Sequence, residues 1–142
     1  MKKAILPLLM FSMFSVFAQD SLNMKKLSVW TSPNAVEYND LWGYTDQNGR
    51  EYAIMGSNWG THFIDVTDPI NPIEINSFIG FNSNVIWRDF KVVGHYAYGV
   101  ADNYFNSLQV FDLSDLPNSV SLVYDDVQLS ESCHNIYIEG NR

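Results

Sequence analysis

Apolar and polar residues alternate along most of this chain in short runs, and each run is cut off by Gly, Pro, Asn or Asp. A period of two broken by turn residues predicts short β-strands rather than helices. Residues 40–44 read as one strand, Asp46-Gln47-Asn48-Gly49 as a hairpin turn, and residues 51–55 as the return strand. Asn-Gly is the strongest short-range hairpin signal, because both residues tolerate positive φ. Residues 57–60 turn the chain again and residues 61–66 form a third strand. Pro69 and Pro72 stop it, since proline has no N–H to give to a ladder. Residues 73–79 complete the set as a fourth strand. The lead-in, residues 19–36, shows no clear period apart from a candidate strand at 27–30.

The set then recurs. Phe63-Ile64-Asp65-Val66-Thr67-Asp68-Pro69 returns in looser form as Val110-Phe111-Asp112-Leu113-Ser114-Asp115-Leu116-Pro117. Residues 89–93 answer the first strand, Gly94 the turn, residues 96–98 the return strand and residues 108–113 the third. The offsets are 49 for Asp40 to Asp89, 44 for Ala53 to Ala97 and 47 for Asp65 to Asp112, so the length differences fall in turns. A third round opens at His134-Asn135-Ile136: Asn135 lies 46 after Asp89, and each is followed five residues later by a glycine, Gly140 and Gly94. The rounds span about 37–80, 85–125 and 132–142.

A four-stranded unit of that length matches a β-propeller blade of ~40–50 residues. The predicted fold class is therefore all-β, a partial β-propeller over residues 37–142 with about two and a half four-stranded blades. A propeller needs ~4 blades to close. The chain accordingly reads as the N-terminal portion of a longer protein. A single β-sandwich accounts for the strands but not for the matched order of the blocks.

The first residues stand apart from this pattern. Lys2 and Lys3 precede an apolar run over residues 4–17, and Val16 and Ala18 sit where a signal peptidase reads side chains. These are the marks of a secretory signal peptide, residues 1–18, cleaved after Ala18. The run is shorter than the ~20 apolar residues needed to span a bilayer, so no transmembrane segment is expected in the mature chain. Cleavage would leave 6 basic against 16 acidic residues, taking the formal charge from −8 to −10. That field excludes nucleic acid and anionic membrane as partners, because both require a positive surface. The single cysteine, Cys133, cannot form an internal disulfide and is expected to be a buried small hydrophobe. With 4 Trp, 8 Tyr and 9 Phe but only 17% charged residues, the composition suits sheets packed face to face.

The ordered segments carry a resemblance. Residues 38–43, 49–53, 61–72, 87–91 and 109–113, followed by His134-Asn135-Ile136, resemble in order and spacing the choice-of-anchor B family of bacterial exported proteins, built from propeller repeats of the LVIVD type. The resemblance covers most of residues 37–142. It implies a secreted or cell-surface propeller whose relatives carry differing C-terminal anchors. It implies no settled activity, cofactor or ligand.

Candidate chemistry follows from the repeat. Inner strands of a propeller line its channel, and equivalent inner positions here hold Asn39-Asp40, Arg88-Asp89 and His134-Asn135. Asp40, Arg88, Asp89, His134 and Asn135 are the candidate ligand-binding residues; alternatively they bond to one another and to neighbouring strands, pinning blade to blade. Asp65, Asp68, Asp112 and Asp115 lack the dense carboxylates and turn glycine of a calcium loop, and read as acceptors shaping the turns. His62 aligns with Gln109, which argues for a polar strand position rather than a catalytic base, and His95 beside Gly94 reads as solvated. Trp42, Trp59, Trp87, Tyr44 and Tyr104 are candidates for sugar stacking or, more simply, for packing between blades; Trp59 on its turn is the exception to watch.

No nucleophile–base pair, metal-ligand spacing, Walker or Rossmann pattern is present. The expected function is thus a non-catalytic binding module without cofactor or metal, partnered by a protein, glycan or cell-surface component. The rival is a hydrolase or lyase with its active site in the central channel.

Overall fold

The computed structural model describes residues 23–103 and 105–140; the expected signal peptide, residues 1–18, and Tyr104 lie outside the described residues. The described chain is all-β, with two four-stranded antiparallel sheets and no helix among the described residues. The first sheet orders β1 (Tyr38–Thr45), β2 (Glu51–Ser57), β3 (Gly60–Asp65) and β4 (Ile73–Ile79) as a simple meander. The second repeats that order with β5 (Arg88–Val93), β6 (Tyr96–Ala101), β7 (Leu108–Asp112) and β8 (Ser121–Asp126).

Registers follow the alternation. In the first sheet Trp42 pairs with Ile54, and Ile54 with Phe63, so three large apolar residues share one face. In the second, Phe90 pairs with Gly99, and Ala97 with Phe111. These two faces pack on each other. Phe63, Phe78 and Phe111 meet in a triangle with ring centroids 5.0–6.0 Å apart, around which Ile54, Phe90, Ala97 and Leu113 are buried. Two glycines leave room for this core: a Cβ on Gly99 would come within 2.8 Å of the cross-strand Phe90 ring, and one on Gly56 within 2.4 Å of the Asn39 carbonyl oxygen and 3.0 Å of the Phe90 ring from the other sheet. Close contact with the cross-strand neighbour therefore selects glycine at both positions.

The repeat reaches down to the turns. Asp65 Oδ1 accepts the N–H of Thr67 and Asp112 Oδ1 that of Ser114, each at 2.9 Å, so these carboxylates shape the chain as it leaves β3 and β7. Asp68 and Asp115 act likewise in the following turns, on Ile70 N–H and on Ser119 Oγ–H. Burial pushes the Asp65 carboxyl up, but Thr67 and Arg50 outweigh that and hold it below the usual carboxylate range.

Three expectations need correction. The candidate strand at 27–30 is not a strand: the lead-in rests on the first sheet through side chains, with Trp30 edge-on to His62 at 5.1 Å and Ser28 Oγ–H donating to Pro69 O. Residues 134–139, read as an opening strand of a third round, have no ladder partner among the described residues and so take no strand geometry. Cys133 is half-buried rather than buried, with Sγ 3.0 Å from Asn135 O. His95 is exposed, as expected.

Candidate functional site

The inner strands β1 and β5 lie side by side, and their first residues meet the segment after Cys133. There Asn39, Asp40, Trp87, Arg88, Asp89, His134 and Asn135 line one cleft of about 210 Å³. All five candidate residues from the sequence lie in this cleft. The structure therefore brings together positions 46 to 49 residues apart, one pair from each of three successive rounds.

Some of these side chains hold the framework. Asp40 sits at φ +56° in a bulge where the β1–β2 register shifts, and its Oδ2 accepts the Phe90 N–H at 2.9 Å. Asp89 Oδ2 accepts the Ile136 N–H at 2.7 Å. The same bond thus joins round one to round two and round two to round three. Gly94 and Gly140, five residues after Asp89 and Asn135, share the left-handed conformation at φ +60° and +62°. The segment 134–140 therefore keeps the local geometry of a third round although it forms no strand.

Charge in the cleft is largely settled internally. Lys91 Nζ donates to Asp89 Oδ1 at 2.6 Å and lies 4.3 Å over the Trp42 ring. Burial raises the Asp89 carboxyl, but Lys91 and the Ile136 N–H outweigh it, and the group stays ionised below its ordinary range. Arg88 is buried, with its guanidinium turned between the sheets: Nε–H donates to Ser57 O at 2.8 Å and Nη2–H to Asn82 O at 3.4 Å. Burial alone brings its pKa down to about 10. It has no carboxylate within 4 Å among the described residues.

Other groups remain open to the cleft. His134 is exposed and fixed through Nδ1 to Asp102 Oδ2 at 2.9 Å, which leaves Nε2 without a protein partner among the described residues. Trp87 is 45% exposed and stands at 44° to the His134 ring, 5.9 Å away. Asp102 is the cleft-side partner that the sequence did not point to. It sits 32 residues before His134, in the loop after β6, where no local spacing signals the contact.

A second arrangement also escaped the sequence. His62 Nε2 lies 2.9 Å from Ser57 Oγ, and His62 Nδ1 lies 3.3 Å from Glu74 Oε1. The order resembles a Ser-His-acid relay. Ser57 and His62 are fully buried, however, and Ser57 Oγ already accepts the N–H groups of Trp59 and Gly60. A nucleophile must reach its substrate, and this one lies sealed beneath Trp30 and Trp59, whose rings are 5.1 and 5.6 Å from His62. The group is a polar tie within the sheet. Its counterpart in the second sheet is Gln109, whose Nε2–H donates to Asp125 Oδ2 at 3.1 Å. Trp59, flagged as a candidate platform, packs here instead.

Among the described residues, no group of three or more His, Cys, Asp or Glu side chains is placed to hold a metal ion. No described helix is long and apolar enough to cross a membrane. Compared with known proteins, the chain matches no family model, no curated protein and no solved structure.

Proposed function

We propose that this chain is part of an exported β-propeller, of the kind its repeats resemble, that acts as a binding module through the cleft where its inner strands converge. One observation carries the reading. Residues at the same place in three successive rounds, Asn39/Asp40, Arg88/Asp89 and His134/Asn135, line one concave site.

The open face of the second sheet supports the propeller geometry. By repeat position, Tyr96, Tyr98 and Val110 answer Tyr52, Ile54 and Phe63, the residues the first sheet turns toward the second. In the second sheet those positions line an apolar groove of about 450 Å³ with Leu108, Val123 and Leu129. A further sheet stacked in the same sense would cover it. Successive blades bury both faces of a sheet in this manner.

The test for export is direct. N-terminal sequencing of protein recovered outside the cytoplasm is expected to begin at Gln19; an intact Met1 on cytoplasmic protein would refute export. For the cleft, purified full chain is screened against glycan and ester panels. The binding reading expects retained ligand without turnover.

A second reading rests on the Asp102–His134 pair, which leaves one imidazole nitrogen of a cleft-lining histidine without a protein partner among the described residues, as a general base requires. Ester turnover that disappears in His134→Ala, with the fold intact, would establish that reading in place of the first.

A further inference from the structure

Resting on the cleft as a binding site, we propose that its ligand is a small neutral carbohydrate: one sugar ring against Trp87, its hydroxyls held by Asn39, Asp40, His134 and Asn135. The atoms left over in the cleft set the chemistry. Asn39 Oδ1 is occupied by the Arg88 N–H, which frees its amide Nδ2 as a donor. Asn135 Nδ2 leans on Asp89 Oδ2 at 3.5 Å, which frees Oδ1 as an acceptor. Asp40 uses Oδ2 on Phe90 and keeps Oδ1, and His134 keeps Nε2. Donors and acceptors are therefore interleaved around one space. Hydroxyl groups, which donate and accept at once, satisfy such a set better than any ligand of a single sign.

Charge excludes the alternatives. An anion would need the Arg88 fork, but that guanidinium is buried and committed to the carbonyls of Ser57 and Asn82, while the Asp40 carboxylate and a net chain charge of −8 repel it. An organic cation would meet the Asp40 carboxylate, but Lys91 already occupies Asp89 and, among the described residues, Trp87 with the His134 ring beside it makes one aromatic wall rather than the cage such a cation takes. An apolar ligand finds, among the described residues, little beyond Trp87. The volume, about 210 Å³, lies below the ~300–1,000 Å³ of sites for drug-sized ligands and suits a single ring. Trp87, 45% exposed at the rim, offers the flat apolar surface on which the C–H face of a pyranose packs.

The test uses the purified full chain with methyl glucoside, methyl galactoside and N-acetylglucosamine as probes, read by saturation-transfer NMR and tryptophan fluorescence. At least one sugar is expected to bind, and Trp87→Ala to weaken it about tenfold, the order of one lost aromatic contact. Trp87→Phe should retain most of the affinity, so the test survives if the alanine variant folds poorly. Asn135→Ala should weaken binding, and Trp59→Phe should leave it unchanged. Sugar binding indifferent to Trp87→Ala and Asn135→Ala overturns the proposal. Binding of tetramethylammonium or inorganic phosphate in place of sugars overturns the ligand class while the cleft remains a binding site. Silence from all of these probes overturns both.

Discussion

The bond from Asp40 to the Phe90 N–H offers the sharpest test of how the two sheets are joined. Phe90 is 1% exposed and its N–H points away from β6, so the Asp40 carboxylate is the partner that satisfies it. In Asp40→Ala that donor is orphaned, at a cost of about 1–3 kcal/mol. Alanine must also hold φ +56°, where a residue with a Cβ but no polar side chain loses roughly 1 kcal/mol. The two effects together predict a loss of about 2–4 kcal/mol. Asp40→Asn keeps an acceptor oxygen and a residue that tolerates the left-handed region, and should lose less than about 1 kcal/mol. Asp40→Gly removes the strain but not the orphaned donor, and should fall between them. Urea unfolding of the three variants and the parent, followed by far-UV circular dichroism and tryptophan fluorescence, measures all four values. Asp40→Ala within about 0.5 kcal/mol of the parent, the ordinary scatter for surface changes, would refute the role given to this bond.

Three further outcomes follow from the packing and the buried charges. Phe111→Ala removes a fully buried ring at the centre of the aromatic triangle and should cost about 3–5 kcal/mol, with loss of near-UV circular dichroism before far-UV. Gly56→Ala would drive a Cβ to 2.4 Å from the Asn39 carbonyl oxygen and should lower the melting temperature by an amount equivalent to about 1–3 kcal/mol, whereas Gly43→Ala, with nothing within 4 Å, should stay within about 0.5 kcal/mol. For pH, burial holds His62 neutral below its ordinary value of 6.5, so the unfolded chain binds the extra proton first. Stability should therefore fall as pH drops through 6.5, and His62→Gln, the residue found at the equivalent position 109, should flatten that part of the curve. The carboxylates of Asp65, Asp89 and Asp102, all held below their ordinary range, should add a second loss below about pH 4 in parent and variant alike.

The strands were legible in the sequence because short apolar runs end at turn residues and recur in the same order. Tyr52 and Ile54 sit where a period of two puts them, Phe111 is placed by the recurrence of the third strand rather than by alternation, and Asn48-Gly49 marks its hairpin. The convergence of Asp40, Asp89 and Asn135 was legible for a different reason: a repeat offset near 47 residues turns sequence equivalence into spatial proximity. What could not be read were contacts that obey neither rule. Asp102 reaches His134 from a loop of irregular length, and Glu74 reaches His62 through the register shift in the β3–β4 pairing. The lead-in escaped for a third reason, since Leu27 and Val29 look like strand residues locally but are 47% and 62% exposed, and side chains such as Trp30 and Ser28, not a ladder, hold the segment to the sheet.

The cleft shows why a polar repeat position resists assignment to scaffold or site as a whole. Each side chain there carries two heteroatoms or a forked head, and the framework uses only part of it. Asp40 gives one oxygen to Phe90, Asn39 gives its carbonyl to the Arg88 N–H, and His134 gives Nδ1 to Asp102. The used atoms lock rotamers, which removes the entropy a ligand would otherwise have to quench. The unused atoms are then presented in fixed directions. Arg88 is the informative contrast: it donates to two backbone carbonyls, is 5% exposed, and lines the cleft without offering its charge to it. Substitutions should therefore separate by atom rather than by residue. Asp40→Asn is expected to preserve stability and alter ligand preference, because it keeps an oxygen for Phe90 while turning the cleft-facing acceptor into a donor. Arg88→Lys is expected to do the reverse, loosening the sheet junction while leaving affinity for a cleft ligand within about twofold, a change worth only ~0.4 kcal/mol. Titration of both variants with the same sugar probes, alongside urea unfolding, decides it: an Arg88→Lys that folds normally yet binds nothing would place that guanidinium in the site after all.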